Sequence, residues 1–189
     1  MIVVSSFKPA WWMSNPHLQT IYCSIRHPFV PPLDDLERID LPDGDFVDLV
    51  WSRANLPQDA PVIIILHGLG GCVNSSYVGR FMRAFNDNGW RAALMHFRGA
   101  GSEPNRLPRA YHSGDTADLD YVINFLSDRE PNTQKAIVGV SLGGNVLLKW
   151  LGEQKQQSKI QAAVGVSVPF QINKVANKMN EGFSRVYQA

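Results

Sequence analysis

Gly139-Val140-Ser141-Leu142-Gly143 decides the reading of this chain. Strand-forming residues enter it, Lys135-Ala136-Ile137-Val138-Gly139-Val140, and a helical pattern with an apolar stripe leaves it, Gly143-Gly144-Asn145-Val146-Leu147-Leu148-Lys149-Trp150-Leu151. Ser141 therefore sits at a sharp strand-to-helix turn, the setting of a nucleophile elbow. In such a turn the residues two before and two after the serine approach each other and a Cβ at either place clashes, which glycine avoids at both. At ~7% each for Gly and Ser, three fixed positions match by chance roughly 0.06 times in a chain this long. A second element has to carry the reading further.

It lies upstream. Val62-Ile63-Ile64-Ile65-Leu66 is a β-branched apolar run, the pattern of a central parallel strand, and His67-Gly68-Leu69-Gly70-Gly71 follows at once. Glycines there let backbone N–H groups face a ligand. With Ser141 as catalytic nucleophile attacking a carbonyl, the N–H groups of Leu69 and Leu142 are the expected oxyanion donors. His67 is expected to hold that loop by side-chain hydrogen bonds rather than carry protons. His96, inside an apolar strand, is expected to be a satisfied core histidine.

Of the 189 residues 44% are hydrophobic, enough for a real core, and no Pro/Gly/Ser-rich linker divides them. A net charge of +1 with no basic run among aromatics argues against nucleic acid as a partner. Cys23 and Cys72 are too few and too unpatterned for a disulfide framework or a zinc site, so both are expected as reduced thiols, Cys72 as a small buried filler. No metal and no cofactor is expected. The N-terminus lacks a basic start followed by a long apolar run, and no segment approaches the ~20 apolar residues of a membrane span. The expectation is a cytoplasmic protein without a transmembrane segment, of undetermined oligomeric state.

Along the chain, residues 1–33 read as an irregular N-terminal arm, because Pro16, Pro28, Pro31 and Pro32 argue against regular elements and Trp11 and Trp12 are expected to pack on the sheet. Leu36 to Leu41 and Phe46 to Trp51 flank Pro42-Asp43-Gly44-Asp45 as an antiparallel hairpin. A helix capped by Ser75 or Ser76 follows the His67 loop, then a strand from Trp90 to Phe97. A helix opening at Ser113-Gly114-Asp115 comes next, then the elbow, a strand from Ile160 to Val168 and a polar tail. Strand alternating with helix implies an α/β fold, a mostly parallel sheet with helices on both faces and ligands at the carboxyl ends of the strands. Arg98, Glu103 and Arg106 fall at that edge, where loop-bracing salt bridges are expected ahead of a substrate contact.

The hairpin, the HGLGG loop, the GVSLGG elbow and their order resemble the α/β-hydrolase fold. Asn15 to Thr20, Leu41 to Asp48, Met95-His96-Phe97-Arg98-Gly99, Ser102 to Arg106 and Tyr111-His112-Ser113-Gly114 resemble, more narrowly, its YheT-like branch of esterase- and lipase-like proteins. The resemblance implies a serine hydrolase acting on small-molecule or lipid esters through an acyl-enzyme. Residues 34–189 are then expected to form an incomplete α/β-hydrolase domain, with the C-terminal strands and most of the cap missing, and Glu181 to Ala189 resembling the start of that cap.

In this fold the triad runs Ser, acid, His along the sequence. His17, His27, His67, His96 and His112 all precede Ser141, and the only carboxylates after it are Glu153 and Glu181. The triad acid and histidine are thus absent from this chain, which reads as cut short and, alone, inactive; losing such a triad lowers turnover on the order of 10⁶-fold. A carboxylic-ester hydrolase or an acyltransferase stands on one side, a non-catalytic truncated remnant or binding scaffold on the other.

Overall fold

The computed structural model describes residues 4–25, 34–53, 55–155 and 158–181. Its centre is β3 (Val62–Leu66), buried throughout, with β4 (Arg91–His96) and β5 (Lys135–Val140) pairing parallel on either side. Beyond β4 the chain places the hairpin of β1 (Asp35–Asp40) and β2 (Phe46–Ser52), antiparallel to each other and to β4. Beyond β5 lies β6 (Ala162–Val166), parallel again. The sheet order is β1-β2-β4-β3-β5-β6.

Alternation along β3 assigns its two faces. Val62, Ile64 and Leu66 pack with Trp51, Met95 and the inner residues of α3 (Ala117–Arg129) and α4 (Leu142–Gln154), among them Leu119, Ile123, Leu147 and Trp150. Ile65 points the other way, into a cluster with Val50, Leu94 and Val78 and Met82 of α2 (Val78–Asp87). Helices therefore cover both faces, as the alternating pattern requires.

Several expectations need correction. The described part of the arm is not irregular throughout: a 3-10 turn at Trp11–Met13 leads into α1 (Pro16–Ile25). Pro16 stands at the first helical position, where its missing N–H is no loss, and the Asn15 carboxamide caps the helix by accepting from the His17 and Leu18 N–H groups. Trp11 and Trp12 are exposed, Trp12 meeting Tyr22 edge to face within the arm rather than packing on the sheet. Pro28, Pro31, Pro32 and His27, the side chain of Cys23, and residues 182–189 of the expected cap start lie outside the described residues.

Neither Ser75 nor Ser76 caps α2. The Ser75 hydroxyl is taken by the Cys72 N–H in a preceding turn, and α2 begins after Tyr77 without a side-chain cap. Cys72, in that turn, is half-buried rather than a buried filler. Helix α3 starts two residues past Asp115, whose carboxylate is held by Arg109 and whose N–H closes a turn onto the His112 carbonyl. After β6 the chain forms α5 (Ile172–Met179) in place of a polar tail.

Arg98, 2% exposed, ties three elements together. Its guanidinium pairs with both oxygens of Asp118 at 2.7 Å at the start of α3, and with Asp43 (2.7 Å) and Asp45 (3.1 Å) in the β1–β2 turn. Burial alone would push the Asp45 carboxyl up, but hydrogen bonds from Asn105 and from the Arg106 and Phe46 N–H groups, with the Arg98 charge, hold it below the usual range. Arg106 braces Asp40 and the Gly44 carbonyl, and Arg38 joins Asp48 to Glu103. These are the loop braces the sequence suggested.

Two tests follow from the packing. Arg98→Met strands Asp45 and Asp118 without their cation and should lower the unfolding free energy by about 3–5 kcal/mol in urea titrations. On α4, a Cβ at Gly143 would lie 2.5 Å from the Leu66 carbonyl oxygen, whereas at Gly152 nothing lies within 4 Å. Gly143→Ala should therefore destabilise by about 3 kcal/mol or more, and Gly152→Ala should stabilise by about 1 kcal/mol through helix propensity.

Candidate active site

Ser141 stands between β5 and α4 with φ +51° and ψ −116°, a backbone conformation that few non-glycine residues adopt. The turn is held from several sides. The Ser141 N–H donates to the Val166 carbonyl at 2.8 Å, and the Ser141 carbonyl accepts from Gly144 (2.9 Å) and Asn145 (3.2 Å). A Cβ at Gly139 would lie 2.5 Å from the Gly143 carbonyl oxygen, so the glycine spacing read from the sequence is a steric requirement.

Opposite lies the loop leaving β3. A Cβ at Gly68 would come within 3.3 Å of Ser141 Cβ and 3.9 Å of its Oγ, which shows how closely this backbone passes the hydroxyl. Ser141, Leu69 and Leu142 all line one cavity of about 460 Å³. Its walls come from the loop 68–71, Tyr77, Val140 and Pro169, and from Ile172, Val175, Ala176 and Met179 of α5. Among the described residues, neither the Leu69 nor the Leu142 N–H has a protein acceptor, and Ser141 Oγ makes no hydrogen bond. Leu142 is the first residue of α4, where N–H groups are left free and the helix dipole is positive.

His67 is fully buried. Its Nδ1–H donates to the Gly68 carbonyl at 2.7 Å and its Nε2 accepts from the Phe97 N–H at 3.2 Å, which assigns the neutral Nδ1–H tautomer. Burial, aided by the neighbouring His96, lowers its pKa from 6.5 to about 4 against the opposing pull of the Gly68 carbonyl. The structural role expected of His67 is the one found. His96 differs: only 5% exposed, it has no hydrogen-bond partner on either ring nitrogen among the described residues. Cross-strand register sets it beside Asp48, which is already engaged by Arg38, and burial holds its pKa down against the Asp48 charge.

Among the described residues no histidine, aspartate or glutamate lines the cavity. Glu153 is occupied by Lys149 and by the Thr116 hydroxyl, and His112 Nδ1 accepts from the Gly114 N–H. No group of three or more His, Cys, Asp or Glu side chains among the described residues could hold a metal ion, and no helix is long and apolar enough to cross a membrane. Sequence reasoning missed the α5 wall. Its signal was present in Ile172, Val175, Ala176 and Met179, spaced i, i+3, i+4 and i+7, but was masked by the asparagines and lysines between them.

Comparison with known proteins bears on this geometry. The chain is 40% identical over 185 residues to the candidate esterase YheT of Escherichia coli, spanning 97% of this chain and 54% of that protein. It is 33% identical over 129 residues to a monoacylglycerol lipase of Saccharomyces cerevisiae, spanning 68% of this chain and 29% of the lipase. The chain thus spans about half the length, or less, of these relatives. An esterase structure from Pyrococcus furiosus shares the fold with a TM-score of 0.63 at 19% identity, covering 96% of this chain and 62% of that one. A family model described as the alpha/beta hydrolase fold matches residues 61–189, from the strand before the His67 loop through the elbow and beyond. With the six-stranded, mostly parallel sheet and the strand–Ser141–helix turn, that match makes this chain a member of the α/β-hydrolase family.

Proposed function

We propose that Ser141 is the nucleophile of a carboxylic-ester hydrolase of the esterase or lipase type. Its Oγ attacks the ester carbonyl carbon, the carbonyl oxygen becomes an oxyanion received by the Leu69 and Leu142 N–H groups, and loss of the alcohol leaves an acyl-enzyme for water to hydrolyse. The observation that carries this reading is the positive φ of Ser141 at the strand-to-helix turn, with the serine lining the same cavity as Leu69 and Leu142, whose N–H groups have no protein acceptor among the described residues. Strain of that kind persists only where the surroundings over-determine it. The aliphatic walls supplied by Leu69, Ile172, Val175 and Met179 suit a small-molecule or lipid ester with an apolar acyl group.

Proton transfer is the step these residues do not supply. His67 has both ring nitrogens committed, and no other described histidine reaches the cavity. A serine hydroxyl without a base is a poor nucleophile at neutral pH. The 189-residue chain alone is therefore expected to hydrolyse a chromogenic butyrate no faster than its Ser141→Ala variant, and to gain turnover when extended with the rest of a hydrolase domain of this family. Turnover by the chain alone that vanishes in Ser141→Ala would reveal a base elsewhere and overturn this account of the proton.

The role given to His67 has its own test. A buried histidine whose folded pKa lies below its unfolded value of 6.5 stabilises fully above 6.5, and that contribution is lost as pH falls towards about 4. Ring 15N shifts should show the His67 Nδ1–H tautomer persisting to about pH 4, and urea titrations should show stability declining by about 3 kcal/mol over that window. A His67 ring that titrates near 6.5 would return it to the list of possible bases.

A further inference from the structure

The loop Gly68–Gly71 has little of its own to hold it, since three of its four residues lack side chains and Leu69 is 64% exposed. Three of its four backbone N–H groups are nevertheless paired within the protein. The Gly68 carbonyl accepts from His67 Nδ1–H and from the Gly71 N–H (3.0 Å). The Gly68 N–H donates to the Tyr77 hydroxyl at 3.1 Å, and the Gly70 N–H to the Tyr111 hydroxyl at 2.9 Å. Between those two anchored amides, the Leu69 N–H is the one left without an acceptor among the described residues.

Both phenols are themselves fixed. Tyr77 immediately precedes α2, and its ring lies 5.8 Å from that of Phe81. Tyr111 stacks on Phe97 at 5.1 Å with the rings 16° apart, and meets the edge of His67 at 5.8 Å. The two hydroxyls thus come from two separate segments that follow the loop, one from the turn before α2 and one from Tyr111-His112-Ser113-Gly114, to grip alternate amides of one glycine-rich loop. Without them, the Gly68 and Gly70 N–H groups would turn to water and the Leu69 peptide would be free to rotate.

We propose that Tyr77 and Tyr111 are positioning residues of the oxyanion loop: by taking the amides on either side of Leu69 they leave that N–H alone aimed into the cavity that Ser141 lines. The proposal rests on the ester-hydrolase reading above. Each hydroxyl contributes before any substrate arrives, because a donor that needs no reorganisation stabilises developing charge best.

Residue-resolved amide exchange on the 15N-labelled 189-residue chain tests it. Gly68 and Gly70 should exchange about tenfold or more slowly relative to Leu69. Tyr77→Phe should release Gly68 and Tyr111→Phe should release Gly70, each by about tenfold, while the Ile64 and Ile65 amides stay unchanged. Tyr121→Phe, on α3, should release neither. As a spectroscopic readout, titration with butylphosphonate should shift the Leu69 and Leu142 amide resonances, and the double Tyr→Phe variant should lose the Leu69 response while keeping that of Leu142. Gly68 and Gly70 exchanging as fast as Leu69 would overturn the proposal, as would a Leu69 response that survives both substitutions. Phosphonate moving neither Leu69 nor Leu142 while Gly68 and Gly70 stay protected would overturn the positioning role through the failure of the hydrolase reading, not of the tyrosine contacts.

Discussion

Close backbone approach at the β5–α4 turn is the constraint on which the rest of this structure depends. Gly139 lets the Gly143 carbonyl come within a distance that no side chain tolerates, and Gly143 lets α4 press against the end of β3 at the Leu66 and His67 carbonyls. Because α4 can sit that close, Ser141 is carried over the carboxyl edge of the sheet rather than out to solvent, and the loop leaving β3 passes within contact of it. The positive φ of Ser141 is the conformational cost of this arrangement, and the hydrogen bonds to Val166, Gly144 and Asn145 offset it. Remove the glycine spacing and the helix lifts away from the strand, taking the cavity with it.

A second layer of constraint is electrostatic. Arg98 enters from the end of β4 and gathers carboxylates from the hairpin turn and from α3, so the antiparallel and parallel halves of the sheet share one buried cation. Such a pair gains little against a well-packed apolar substitute, but leaving either partner alone is strongly unfavourable. Its consequence is a braced loop between β4 and α3, the segment that brings the Tyr111 hydroxyl to the Gly70 N–H. The two buried histidines stand apart from Ser141: His67 spends both nitrogens on backbone groups, and neither it nor His96 beside it lines the cavity that Ser141 lines.

The cavity is built from unequal parts. Its floor is made of the end of β5, the elbow and the loop 68–71 that Tyr77 and Tyr111 brace. Its outer wall is α5, whose Ile172 and Val175 remain about two-fifths exposed even while lining the space. Among the described residues β6 is an edge strand of the sheet, in which Val164 is 53% exposed.

How much was legible in the sequence follows from the range of the physics involved. Patterns of period two and 3.6, the glycine spacing about Ser141 and the apolar run before His67 were enough for β3, β5, α4, the hairpin and the fold class, since each reflects local sterics or burial of one face. The loop braces of Arg98, Arg38 and Arg106 were readable as a class but not as pairs. Proline counting misjudged the arm, because Pro16 at a helix start obeys a rule of position, not of density. What only the tertiary structure decided is which donors and acceptors meet: that Tyr77 and Tyr111 bracket Leu69, that His67 is committed at both nitrogens, and that α5 walls the cavity. The hydrogen bonds among these contacts join residues up to 41 positions apart, and no local propensity encodes a bond whose two ends are brought together only by the packing of the sheet.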